Sequence, residues 1–138
     1  MPTLYMRMLL LILCGTVGPC SGQENLYTTG GMFNGRMWLQ FDDAARSAYV
    51  LGVRDGISLG VAQFSQAPNY SEVQQRFFAK IVIQEMVDEI SALYKDRENT
   101  RIPLSLAFDY CTKKLRGTST KADLERELIR LRTLAAQL

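Results

Sequence analysis

Ala48-Tyr49-Val50-Leu51-Gly52-Val53-Arg54-Asp55-Gly56-Ile57-Ser58-Leu59-Gly60 is the stretch on which the fold turns. Its apolar positions recur at helical spacing: Ala45, Tyr49, Val53, Ile57 and Val61 run four apart. Ala48, Gly52, Gly56 and Gly60 form a parallel i, i+4 row almost without side chains. Each interior glycine costs a helix about 1 kcal/mol relative to alanine. Three in one row call for a physical reason, and close approach of a second helix is the reading taken here. On that reading Gly52→Leu disrupts folding, because a leucine pushes the neighbour away. Asp55, at the edge of the same face, is then a brace that accepts hydrogen bonds from a neighbouring helix start or an Arg.

Working outward, the helix carrying this stretch starts at Asp42 or Asp43, where an acidic pair suits a helix N-terminus. It ends near Phe64, before a loop with Pro68 and Asn69. A second helix opens with Ser71 and Gln74 in capping-box spacing and runs to Tyr94. Ile83, Met86, Val87, Ile90, Leu93 and Tyr94 form its stripe, with Glu85, Asp88 and Glu89 on a solvated face. A polar loop with Asp96 and Asn99 in turn or cap roles leads to Pro103, placed at a helix start. Leu104, Ala107, Phe108, Cys111 and Leu115 face inward on the third helix, and Gly117 stops it. Ser119 or Thr120 caps a fourth, whose Leu124, Leu128, Leu131, Ala135 and Leu138 alternate four and three apart. Two heptads are too few for a coiled coil, so this seam docks on the bundle, with a homodimer seam as the alternative.

The start of the chain has another character. Arg7 precedes an apolar run from Leu9 to Val17, followed by Gly18, Pro19, Cys20, Ser21 and Gly22. This is the layout of a secretory signal peptide. The run is shorter than the roughly 20 residues that span a bilayer, so no membrane span remains after cleavage. The expected organisation is a signal peptide over 1–22, an irregular N-terminal arm over 23–40 and a compact all-α, four-helix domain over 41–138. Lipid anchoring at Cys20 is a minority option. Within the arm, Gly30-Gly31 and Asn34-Gly35 are turn signals, a short hairpin around Asn34-Gly35 is the less favoured option, and Trp38 packs the arm onto the body.

Composition narrows the chemistry. The 138 residues include no His, and Cys111 is the one cysteine beyond the leader. That excludes His-based acid–base catalysis, Ser–His and Cys–His nucleophiles, zinc clusters and CxxC redox motifs. No cofactor, metal or catalytic residue is assigned. Cys111 falls on an apolar stripe, so a buried, inert thiol is expected. Tyr49 and Trp38 read as core before ligand-stacking residues. The net charge of +2 argues against nucleic acid as a partner. The basic residues from Lys113 to Arg132 read as a solvated face with i, i+3 pairs, Asp123 with Arg126 and Glu127 with Arg130, ahead of a patch for an acidic partner.

Asn34-Gly35, Trp38, the Tyr49-to-Gly56 run, and Tyr94, Asp96, Asn99, Ile102 and Pro103 together form a pattern that resembles a group of small exported bacterial all-α proteins. More distantly, a Tyr-x-x-Gly-x-x-Asp-Gly helix followed by helix, loop, Pro and helix is similar to the type VI secretion amidase-immunity proteins. The resemblance implies a periplasmic helical protein that binds and blocks a peptidoglycan-cutting toxin. The resulting functional expectation is an exported, non-enzymatic interaction module of the bacterial envelope, inhibitor- or immunity-like, with a protein partner there. The alternatives are a carboxylate-dependent hydrolase of envelope polymers, with Asp55 as its suspect and Glu89 as an imaginable second carboxylate, and a structural homodimer. The residues singled out are Trp38, Tyr49, Gly52, Asp55, Gly56, Gly60, Asn99 and Pro103.

Overall fold

A computed structural model describes residues 25–64 and 81–138. The expected leader and cleavage site, Cys20 and the expected Ser71–Gln74 capping box lie outside the described residues. Within them the chain is all-α apart from one small hairpin. The elements are β1 (Thr28–Thr29), β2 (Met32–Phe33), α1 (Gly35–Trp38), α2 (Asp43–Phe64), α3 (Ile83–Lys95), a 3-10 turn (Arg97–Asn99), α4 (Leu104–Leu115) and α5 (Lys121–Gln137).

The arm is more ordered than its sequence suggested, and its hairpin is not the one considered at Asn34-Gly35. β1 and β2 pair antiparallel, Thr28 with Phe33 and Thr29 with Met32, across Gly30-Gly31. Both glycines have positive φ, 55° and 78°, as the tightest hairpin turns demand. Asn34 instead caps α1, its Oδ1 accepting from the backbone N–H of Arg36 at 3.0 Å and of Met37 at 3.4 Å. Asn34 Nδ2 donates to Leu26 O and Thr29 Oγ1, which ties the cap back to the hairpin.

The first long helix has the expected bounds. Asp42 Oδ1 caps α2 by accepting from Ala45 N at 2.7 Å. α3 starts at Ile83, and Val82 before it is extended (φ −78°, ψ 140°), so the helix expected from Ser71 to Tyr94 does not run through 81–82. Glu85 Oε2 reaches back to Val82 N at 3.4 Å, which gives the freed N–H a local acceptor. α4 begins directly after Pro103 and ends in a Schellman turn. There Gly117, at φ 62°, donates to Lys114 O, and Thr118 N donates to Lys113 O. Thr120 and Asp123 form a reciprocal capping box on α5.

The core lies where α3 meets α2, α4 and the arm. Trp38, Val50, Met86, Ile90, Tyr94, Ile102, Leu104, Ala107, Cys111 and Leu131 are at most 2% exposed. On α5, Leu131 and Ala135 are buried and Leu124 and Leu128 pack partly against the core, so the heptad seam docks on its own bundle.

The glycine row behaves unlike the expectation. Gly52 and Gly56 are exposed, Gly60 is half-buried, and a Cβ built on any of the three meets no atom within 4 Å among the described residues. No helix nestles against them there. The geometry of the α2 face explains the reversal. The Tyr49–Val53 stripe does face the core, but the buried flank is the row one residue after it, where Val50 and Ser58 are 2% and 0% exposed. The glycine row lies one residue before the stripe, about 100° round the helix on the outer side.

The glycine at a close approach is Gly35. A Cβ there would overlap the ring of Tyr94. We expect Gly35→Ala to lower stability by about 1–3 kcal/mol through overpacking. Gly52→Ala is expected to raise it, by up to about 1 kcal/mol from helix propensity. Urea denaturation of the two variants tests the pair, and equal midpoints would contradict it.

Candidate functional site

The residues singled out in the sequence separate into two groups in space. Asn34, Gly35, Trp38, Tyr94, Asn99, Ile102 and Pro103 belong to one buried junction between the arm and the loop joining α3 to α4. Gly52, Asp55 and Gly56 lie on the outer face of α2. Tyr49 lies between, half-buried against Trp38.

The junction is assembled from small local decisions. Gly35 lets the first turn of α1 lie against the Tyr94 ring, and the Tyr94 hydroxyl donates to Ile102 O at 2.9 Å. An isolated bridge joins Asn34 to Pro103, so arm and loop meet through backbone as well. Trp38, with no exposed surface, donates from Nε1 to Ser91 Oγ at 3.1 Å, and Ser91 in turn donates to Val87 O. Phe41 and Tyr49 stand edge-on or tilted to Trp38 and to each other at 6.1–6.3 Å. The Arg46 guanidinium lies 5.8 Å from the Trp38 ring centre, a cation–π contact, and Arg46 Nε donates to Trp38 O. Burial pushes the Tyr94 and Tyr49 hydroxyls up from the usual phenol range, which keeps both neutral.

Asn99 is the polar centre of the loop, 3% exposed. Its Nδ2 donates to Leu93 O at 2.8 Å, stopping the last turn of α3, and its Oδ1 accepts from Arg132 Nε at 2.8 Å. Arg132 also reaches Asp96 and Glu98, at 2.7 and 2.8 Å. One arginine on α5 therefore closes three acceptors of the loop. Asp96 has a second task, capping the 3-10 turn by accepting from Glu98 N. The cap and turn roles expected of Asp96 and Asn99 hold, and the link to Arg132 is the part that sequence reasoning missed.

Among the described residues, Asp55 has no ion pair or hydrogen bond to another element. Its carboxylate leaves 60% of its surface in solvent, and its cationic neighbour is the adjacent Arg54, at 3.5 Å. Glu89 departs from the solvated-face reading too: it pairs with Lys114 across α3 and α4 and is 21% exposed. That hydrogen bond holds the Lys114 ammonium above the usual lysine range. Asp55 and Glu89 have different cations beside them, Arg54 on α2 and Lys114 on α4. No cluster of three or more metal-ligating side chains occurs among the described residues. Cys111 is wholly buried, and burial pushes its thiol up to about 12, as an inert core residue requires.

The basic C-terminal stretch is largely neutralised. Lys113 contacts Asp109 and Glu127, Lys121 approaches Glu125, Arg126 pairs with Asp123 and Arg130 pairs with Glu127. Both i, i+3 pairs named from the sequence form. Glu127 takes two 2.8 Å bonds from Arg130, with Lys113 at 3.5 Å. The Arg130 hydrogen bonds hold its carboxyl down at about 2.

Exposed apolar side chains among the described residues include Leu51, Ile57 and Leu59 on α2, and Leu26, Tyr27, Met32 and Phe33 around the hairpin, with Leu39, Val82, Ile129 and Leu138 elsewhere. No helix among the described residues is long and apolar enough to cross a membrane. Set against protein-family models, curated proteins and solved structures, the chain matches none.

Two measurements test the polar anatomy. Asn99→Ala is expected to cost about 1–3 kcal/mol, because Leu93 O and the Arg132 Nε–H lose their partner in a buried place; an unchanged melting temperature would refute the role. Glu127→Gln tests the charge network through pH. A carboxyl held below its unfolded value near 4.3 stabilises the fold above that pH and loses the effect as pH falls towards about 2. The wild type is therefore expected to be more stable than the variant at pH 7, by about 0.5–1 kcal/mol, with the two converging near pH 2.

Proposed function

We propose that this chain is an exported, non-enzymatic interaction module of the bacterial envelope, inhibitor- or immunity-like in kind, whose contact surface is the outer face of α2. The observation that carries the reading is the glycine row. Gly52 and Gly56 each cost the helix about 1 kcal/mol relative to alanine, and no described atom within 4 Å of where a side chain would begin explains them. A backbone bared to the outside suits the close approach of another protein. Leu51 and Leu59 on the same helix remain exposed and supply apolar surface. Asp55 offers one charge on that face for a basic group of the partner. The layout of the leader supports export, and the resemblance to amidase-immunity proteins supports an envelope enzyme as the kind of partner bound.

Two further observations favour binding over catalysis. Asp55 lies in solvent beside Arg54, and Glu89 is tied to Lys114. Each carboxylate has its own cation beside it, which disfavours a shared acid–base pair.

A photo-crosslinking residue placed at Gly56, with a control at Glu125 on the exposed side of α5, tests the proposal in cells. Because Gly56 is exposed and no described atom lies within 4 Å of where its side chain would begin, the variant is expected to keep the wild-type melting temperature. The expected outcome is a discrete adduct from position 56 that is absent from position 125. No adduct at 56, or equal adducts at both, would overturn the assignment of the surface. An adduct at twice the chain mass would replace the heterologous partner with a second copy. Release of fragments from envelope polymers by the purified protein, abolished in Asp55→Asn, would replace the binding reading with the hydrolase.

A further inference from the structure

We draw no further inference here: the strongest candidate, the exposed apolar patch of Leu26, Tyr27, Met32 and Phe33 around the β1–β2 hairpin, carries nothing because nothing in the structure shows what covers it.

Discussion

The backbone of Gly35 lies against the ring of Tyr94, and the rest of the arm depends on that contact. A single methyl group would keep α1 away from α3. The arm could not then set Trp38 beside Ser91 or let Asn34 bridge to Pro103. Tyr94 is held in turn by its hydroxyl on Ile102 O, so the ring that receives the arm is fixed by the loop that the arm then covers. The two ends of the junction support each other. This is the kind of buried polar arrangement in which removing one member strands the others. It also explains how a chain segment with only two-residue strands and a one-turn helix can be ordered at all: its order comes from α3 and the loop after it, through contacts 53 residues or more distant in sequence.

Where the sequence was legible, the signal was local. Asp42, Thr120, Pro103 and Gly117 mark helix ends through hydrogen bonds that close within a few residues; Pro103 and Gly117 serve as read, and Asp42 and Thr120 are each one of the two candidates read at their helix start. The pairs Asp123–Arg126 and Glu127–Arg130 likewise need only helical spacing. Arg132 was illegible for the opposite reason. Its partners Asp96, Glu98 and Asn99 lie on a different element, 33 to 36 residues earlier, and nothing in spacing joins them. Glu89 was misread on the same account, since its face is decided by where Lys114 arrives.

The glycine row shows the limit of periodicity itself. A row of four-apart small residues establishes a bare face on a helix, but the pattern has no sign that says inward or outward. On α2 two rows flank the Tyr49–Val53 stripe, one with glycine at Gly52 and Gly56, the other with Val50 and Ser58. The second turned inward, where Val50 joins the core and the Ser58 hydroxyl closes on Arg54 O. A valine facing inward removes apolar surface from water, whereas a glycine has none to remove. The hydrophobic effect thus sorts the two flanks correctly once both are weighed. A preference for close packing applied to one flank alone does not.

That sorting also changes the meaning of Gly52 and Gly56. Had the row been buried, its glycines would be explained by the fold and would carry no further information. On the outer face they weaken α2 without any compensating contact from the described residues. Gly35 illustrates the contrast within one chain: its lack of a side chain is used by Tyr94, and its conformational cost is offset there. The proposed binding role draws on a helix that alanine at positions 52 and 56 would stabilise, yet that carries exposed glycine between exposed Leu51 and Leu59. The physical case for a binding role therefore rests on stability forgone at two positions, beside a core junction whose glycine is fully accounted for.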